Sequence, residues 1–113
     1  MAVQGLDERK RFVIVIALTA DSGDSALFAQ QDEEGRRLGL TRAEIDAARR
    51  GFSFDFSTSK AIALALAREE GVLNDSRSQA MRAGIDTMTC AEIERMAAEL
   101  AVIHSAKVCQ NER

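Results

Sequence analysis

The sequence predicts an all-α fold, a bundle of six helices built from residues 1–113 as one domain. Proline is absent and alanine is frequent, so little interrupts helices. Two capping boxes, Thr41 with Glu44 and Thr89 with Glu92, mark helix starts. Glycines that follow apolar stripes mark helix ends, and the length is that of one domain of common size.

The first helix is predicted over about residues 7–19. Its Val-Ile-Val-Ile run favours a strand by propensity, but no partner strand is evident elsewhere, so we expect a helix buried on most sides. Basic residues before the run resemble a signal peptide. However, Asp7 and Glu8 dilute the positive charge, and Leu18 occupies a position where cleavage requires a small residue. The run is also shorter than the roughly 20 residues that span a bilayer, so we expect a cytoplasmic protein without a membrane segment.

The next two helices are predicted over residues 24 or 25 to 38 and over residues 41–50. The second carries Leu27, Phe28 and Leu38 as apolar positions, with a strongly polar stretch between them. The third begins at its capping box and ends at a glycine in the left-handed conformation.

The last three helices are predicted over about residues 57–70, 75–83 and 89–107. Gly71 and Gly84 are expected to end the fourth and the fifth. The sixth carries one apolar stripe, formed by Ile93, Met96, Ala97, Leu100, Ile103 and His104.

Composition excludes several functions. The net charge is -3 and the basic residues are mixed with acidic ones, so no basic stripe is present for nucleic acid. Cys90 and Cys109 lie on one predicted helix, roughly 28 Å apart at 1.5 Å per residue, which excludes a disulfide between them within the chain. Reduced thiols indicate a cytoplasmic compartment. With His104 as the one histidine and no Cys-x-x-Cys, we expect neither a metal site nor a cofactor.

Residues 39–67 carry a recognisable order of elements. They read Gly-Leu-Thr-Arg-Ala-Glu-Ile-Asp-Ala-Ala-Arg-Arg-Gly, then Phe-Ser-Phe-Asp-Phe, then an alanine-rich helix. This order, with Asp55 in the connecting loop, resembles the carboxymuconolactone decarboxylase family, which includes the AhpD-like alkylhydroperoxidases. The resemblance extends over about residues 9–100. It implies a six-helix AhpD-like bundle that assembles as a trimer or as a hexamer of two trimers.

The family's redox centre is missing at the matching positions. AhpD-like members carry Cys-x-x-Cys-x-x-x-His eight residues before the Gly-Leu, and a glutamate twelve residues before the first cysteine. These positions correspond to Asp24, Leu27 and Gln31, and to Phe12 for the glutamate. A peroxidase of this type needs an attacking thiolate, a resolving thiol and a base. The decarboxylase branch uses the histidine as an acid/base group, and Gln31 does not titrate.

Four residues are candidates for a pocket: Asp24, Gln31, Glu34 and His104. The resemblance places Gln31 and Glu34 on the helix that faces the family's cavity. From the residues themselves we expect a solvated helix face over residues 30–34, with Asp24 as an N-cap, and the ligand pocket is the alternative. His104 is expected to be a packed residue or one that complements the helix dipole, with catalysis as the alternative.

Cys90 and the aromatic residues leave alternatives open. Cys90 falls in the first turn of the sixth helix, where backbone N–H groups lower a thiol pKa, but without an evident base we expect a small structural residue. Phe52, Phe54 and Phe56 either pack in the core of their own domain or insert into a groove of a neighbouring subunit.

Three functions are consistent with these observations. The first is an AhpD-like domain without the redox centre that serves as a homo-oligomeric binding or interaction protein with a small-molecule ligand. The second is an enzyme related to the same family, peroxidase or decarboxylase, that uses carboxylates such as Asp24 and Glu34 in place of the usual Cys and His groups. The third is a plain helical interaction module. No catalytic residue can be assigned from the sequence.

Overall fold

A computed structural model describes residues 7–67 and 69–111, with side chains described as far as residue 100. The described residues form six helices and no strand, which confirms the all-α prediction. The helices are α1 (Glu8–Leu18), α2 (Ser25–Arg37), α3 (Arg42–Arg49), α4 (Phe56–Leu66), α5 (Glu70–Arg82) and α6 (Thr87–Asn111).

Helices α1 and α4 pack against each other at the centre of the bundle. Helix α1 also contacts α2 and α3, whereas α4 contacts α5 and α6. The Val-Ile-Val-Ile run is therefore helical, and Ile14 and Ile16 are fully buried. Core packing outweighs the strand propensity of these β-branched residues. The remaining core residues form one cluster that includes Leu40, Ile45, Ile62, Leu64, Cys90 and Ile93.

Local sequence signals define α3 as predicted. The Thr41 hydroxyl accepts from the Glu44 N–H at 3.1 Å, and the Glu44 carboxylate accepts from the Thr41 N–H at 2.7 Å. The helix ends before Gly51, which has a φ of 94°. Ile45 of α3 packs against Gly35 of α2. A β-carbon at position 35 would lie only 2.7 Å from the Cδ1 atom of Ile45, so this contact requires a glycine. This close approach brings α2 and α3 together.

The predicted boundary between α4 and α5 is wrong. Helix α4 ends at Leu66, four residues earlier than expected, and is followed by Ala67 with an extended ψ of 127°; α5 begins at Glu70 instead of residue 75. Gly71 lies in the first turn of α5, so it does not end α4 as predicted. Glu69 and Glu70 explain this start, since negative charge is favoured at a helix N-terminus. The expected end of α5 before Gly84 is confirmed.

The second predicted capping box is also wrong. Helix α6 begins at Thr87, so Thr89 lies inside its first turn and is not the cap. The Asp86 carboxylate instead accepts from the Thr89 N–H at 2.8 Å. Hydrogen bonding by the Thr89 side chain, followed by the bond from its backbone N–H, lowers the pKa of the Asp86 carboxyl. A carboxylate three residues before an N–H can cap it just as threonine can, and Asp86 precedes Thr89 along the chain.

Candidate functional site

An open groove of about 460 Å³ lies between α1 and α2. Phe12 and Val15, one turn apart on α1, contribute to its apolar floor. The other lining residues come from one face of α2, where residues three, four and seven apart are neighbours. Its members are Leu27, Gln30, Gln31, Glu33, Glu34 and Arg37. The volume is in the range of sites for small molecules.

Gln31 lies at the buried end of this groove. Gln31 is only 4% exposed. The Gln31 amide nitrogen donates to the Thr19 hydroxyl at 2.9 Å, and that hydroxyl donates to the Val15 carbonyl at 2.8 Å. The amide is thus anchored to the C-terminal end of α1. The expectation of a solvated face is wrong for Gln31.

Arg49 of α3 completes a polar cluster behind the groove. Its guanidinium donates to the Phe28 carbonyl at 2.9 Å and to the Gln31 amide oxygen at 3.4 Å. It pairs with Asp32 at 3.0 Å and lies over the Phe28 ring, 4.7 Å from its centre. Because these contacts join α3 to α2, and Gln31 joins α2 to α1, the cluster fixes the orientation of the amide in the groove.

Charged groups form the rim. The Glu34 carboxylate lies 3.5 Å from the Arg37 guanidinium, an exposed pair one helical turn apart. Glu33 is exposed and, among the described side chains, forms no ion pair. The rim is therefore acidic on balance, and the floor of Phe12, Val15 and Leu27 is apolar.

The structure brings some of the predicted pocket residues together. Gln31 and Glu34 line the groove, but Asp24 does not. Asp24 is the N-cap of α2, and its carboxylate accepts from the N–H groups of Ala26 and Leu27 at 3.1 and 3.2 Å. His104 lies on α6, and its side chain is not among those that the structure describes.

Positions singled out by the family resemblance also converge. Phe12, Leu27 and Gln31, at the matching positions of the glutamate, a cysteine and the histidine, all line this one groove. Sequence analysis missed Val15 and Arg49. Val15 follows Phe12 by three residues and could have been found by helical spacing. Arg49 gave no signal, since it ends a short polar helix and meets Gln31 only in the folded chain.

Cys90 is buried in the core at 1% exposure. Burial, followed by the nearby charge of Glu94, raises the pKa of the Cys90 thiol. The thiol is thus kept protonated and inaccessible, which fits a structural cysteine. An activated nucleophile would need a lowered pKa and access to its substrate. The side chain of Cys109 lies outside the described residues.

The phenylalanines of the loop between α3 and α4 and of the first residue of α4 point outward. Phe52, Phe54 and Phe56 are 39%, 65% and 68% exposed. Packing in the core of their own domain is therefore wrong for Phe54 and Phe56.

The groove offers binding groups and no thiol. Its described residues supply an apolar floor, two amides and three charged groups. Among the described side chains, no group of three or more His, Cys, Asp or Glu residues is close enough to hold a metal ion.

None of the helices in the described residues is both long and apolar enough to cross a membrane. No family model, curated protein or solved structure matches this chain.

Proposed function

We propose that this protein is a divergent AhpD-like member of the carboxymuconolactone decarboxylase family that has lost the redox centre. It acts as a homo-oligomeric binding protein, and the groove between α1 and α2 takes a small molecule. The observation that carries the proposal is the convergence of Phe12, Leu27 and Gln31 on that groove. Of the four positions that the resemblance selects, Asp24 does not line the groove. Leu27 and Gln31 share a face of α2 by helical spacing, so the informative member is Phe12, which reaches the same groove from α1.

The groove chemistry defines a ligand class. Phe12, Val15 and Leu27 favour an apolar body. The Gln31 amide is held by Thr19 and Arg49, so it can orient a polar group without rearranging. Glu33 favours a positively charged end. A small aryl- or alkylamine combines these features.

A titration tests this ligand class. Benzylamine and phenylacetate, which share a ring but differ in charge, are added to labelled protein while amide chemical shifts are recorded. Benzylamine is expected to shift Phe12, Leu27 and Gln31 at lower concentration than phenylacetate does. Leu27→Arg should abolish these shifts, whereas Met81→Arg, at an exposed apolar position outside the groove, should leave them unchanged. Failure of both compounds to perturb groove amides would contradict the proposal.

A peroxidase assay tests the loss of redox chemistry. With an alkyl hydroperoxide and a dithiol reductant, the protein is expected to show no thiol-dependent turnover, because Leu27 and Gln31 supply neither thiol nor base. Cys90→Ser should change nothing. Turnover that disappears in Cys90→Ser or Cys109→Ser would show that the thiols have been relocated to α6. It would then favour the alternative of a related enzyme, for which Glu34 lies in the groove and Asp24 does not.

A further inference from the structure

The loop between α3 and α4 presents aromatic rings on a fixed backbone. The Ser53 N–H donates to the Ser59 hydroxyl at 3.3 Å, and the Asp55 N–H donates to the Ser53 hydroxyl at 3.1 Å. Phe52 and Phe54 meet edge to face, with ring centres 6.1 Å apart. The loop therefore holds its rings in place in the presence of water, and little ordering entropy remains to be lost on binding.

The exposed rings add up to a sizeable apolar surface. A phenylalanine buries about 150–250 Å² when it packs, so three residues exposed at 39–68% leave about 300 Å² of aromatic surface in solvent. Patches of a few hundred Å² on a monomer commonly mark interaction sites. The protein thus carries an aromatic contact surface, which we call the Phe loop (residues 50–56).

The groove between α1 and α2 lacks a wall. Small-molecule sites commonly bury about 70–90% of their ligand, which a groove open to solvent does not achieve. Its apolar floor, formed by Phe12, Val15 and Leu27, lies on helices that contribute nothing to the Phe loop. The two surfaces share no residue, so both can be engaged in one molecule.

The charges of the two surfaces are complementary. Next to the Phe loop rings stand the exposed Arg50 and the half-buried Lys60, whose ammonium donates to the Gln79 amide oxygen at 2.8 Å and lies 5.3 Å from the centre of the Phe56 ring. The Asp55 carboxylate accepts from Ser57 and Thr58 and stays ionised, so Arg50, Lys60 and Asp55 together carry one net positive charge. The groove rim carries Glu33 and Glu34 against one arginine. Attraction between a basic loop and an acidic rim favours this pairing over loop with loop.

We propose that the Phe loop of one copy of this chain covers the groove of the next copy, so that Phe54 and Phe56 supply the wall that the groove lacks. This inference rests on the proposed function, since it concerns the same groove. A contact between two different surfaces is heterologous and closes a ring when the rotation between neighbouring copies allows it. The trimer that the family resemblance implies is such a ring. Each ligand site then lies between two subunits.

Two single-surface variants test the contact. Phe54→Ser combined with Phe56→Ser removes the rings, and Leu27→Glu places a charge on the groove floor. Both are expected to reduce the mass in solution to one chain, whereas Met88→Ser, at a residue that is 82% exposed elsewhere, should keep the wild-type mass. Helical circular dichroism checks that each variant is folded. An oligomer retained by folded Leu27→Glu protein, or by the double Phe variant, overturns the proposal.

A disulfide trap identifies the contact directly and does not depend on variants that disrupt it. Phe54→Cys with Gln30→Cys, in a Cys109→Ser background, is expected to give covalently linked chains on mild oxidation. Met88→Cys with Gln30→Cys is the matched control, and linkage at an equal rate in that pair overturns the proposal. In the double Phe variant, benzylamine affinity is expected to fall about tenfold, because one wall is lost. A trapped contact without benzylamine binding would refute the ligand and leave the Phe loop contact standing.

Discussion

Two neighbouring regions of this protein reverse the usual relation between polarity and burial. Where α1, α2 and α3 meet, Gln31 and most of the Arg49 side chain are removed from water. A few residues later, Phe54 and Phe56 stand largely in solvent. The Gln31 amide and the terminal nitrogens of Arg49 have partners, whereas the Arg49 Nε is buried without one among the described residues, so the partnered groups can stabilise one arrangement of the helices. The exposed rings have no such role in the chain, which leaves them available for contact with another molecule.

The largest expected effect comes from breaking the polar cluster. Arg49→Ala removes the donor to Phe28 and Gln31, the pair with Asp32 and the contact over the Phe28 ring. Loss of a partner from buried polar groups costs about 1–3 kcal/mol, and we expect a value at the upper end, read from urea unfolding. Arg36→Ala, at an exposed arginine on α2, is the control and should change stability by less than about 0.5 kcal/mol. Equal effects of the two variants would contradict a stabilising role for the cluster.

A smaller effect is expected for Gln31→Leu. The side chains are similar in size, but the Thr19 hydroxyl and the Arg49 guanidinium each lose one partner while keeping another. We expect a loss of about 1–2 kcal/mol in the free energy of unfolding. Gln30→Leu, at the exposed neighbouring position, serves as the matched control. A more stable Gln31→Leu protein would show that the buried amide is retained for binding alone.

The N-cap at the end of the Phe loop gives a pH-dependent effect. Asp55 accepts from the Thr58 hydroxyl at 2.7 Å and from the Thr58 N–H at 2.9 Å, and these bonds lower its pKa below 3.8. The contribution of the Asp55 carboxylate to the free energy of unfolding is therefore complete above its unfolded-state pKa of 3.8. It is lost as the pH falls through the lower pKa of the folded state. Asp55→Ala should cost about 1 kcal/mol at pH 7. The difference from wild type should shrink at the lowest pH at which both remain folded, and a constant difference would argue against the carboxylate.

The smallest effect on folding is expected at the rings themselves. Phe54→Ser and Phe56→Ser remove side chains that are 65% and 68% exposed, so little buried apolar area is lost. In dilute protein, where chains are separate, the free energy of unfolding should change by less than about 0.5 kcal/mol for each. Ile62→Ser, at a fully buried position, is the contrasting variant. A large loss at Phe54 or Phe56 under these conditions would mean that the rings stabilise their own chain.

The parts of the fold that could be predicted are those set by local sequence. The cap of α3 involves residues three apart, and Gly51 adopts the left-handed conformation that glycine tolerates best. The error at Gly71 arose because a glycine can stand in the first turn of a helix as well as after the last one. The acidic pair before it was the signal that decided between the two.

The candidate site was predictable only in part. The family resemblance placed Gln31 and Glu34 on the helix that faces a cavity, and both line the groove. The burial of Gln31 depends on Thr19 and on Arg49, which lies eighteen residues away along the chain. Sequence patterns within one helix carry no information on such contacts. The outward direction of the phenylalanines was likewise undetermined, since alternating aromatic residues suit a core or an interface.

Light scattering of the wild-type protein at micromolar concentration tests the central claim most directly, which is that the exposed Phe loop is covered by another copy of the chain. The account predicts a mass that is a multiple of the 12.3 kDa chain, three chains for the trimer that the family resemblance implies. A mass of one chain throughout the micromolar range would contradict it.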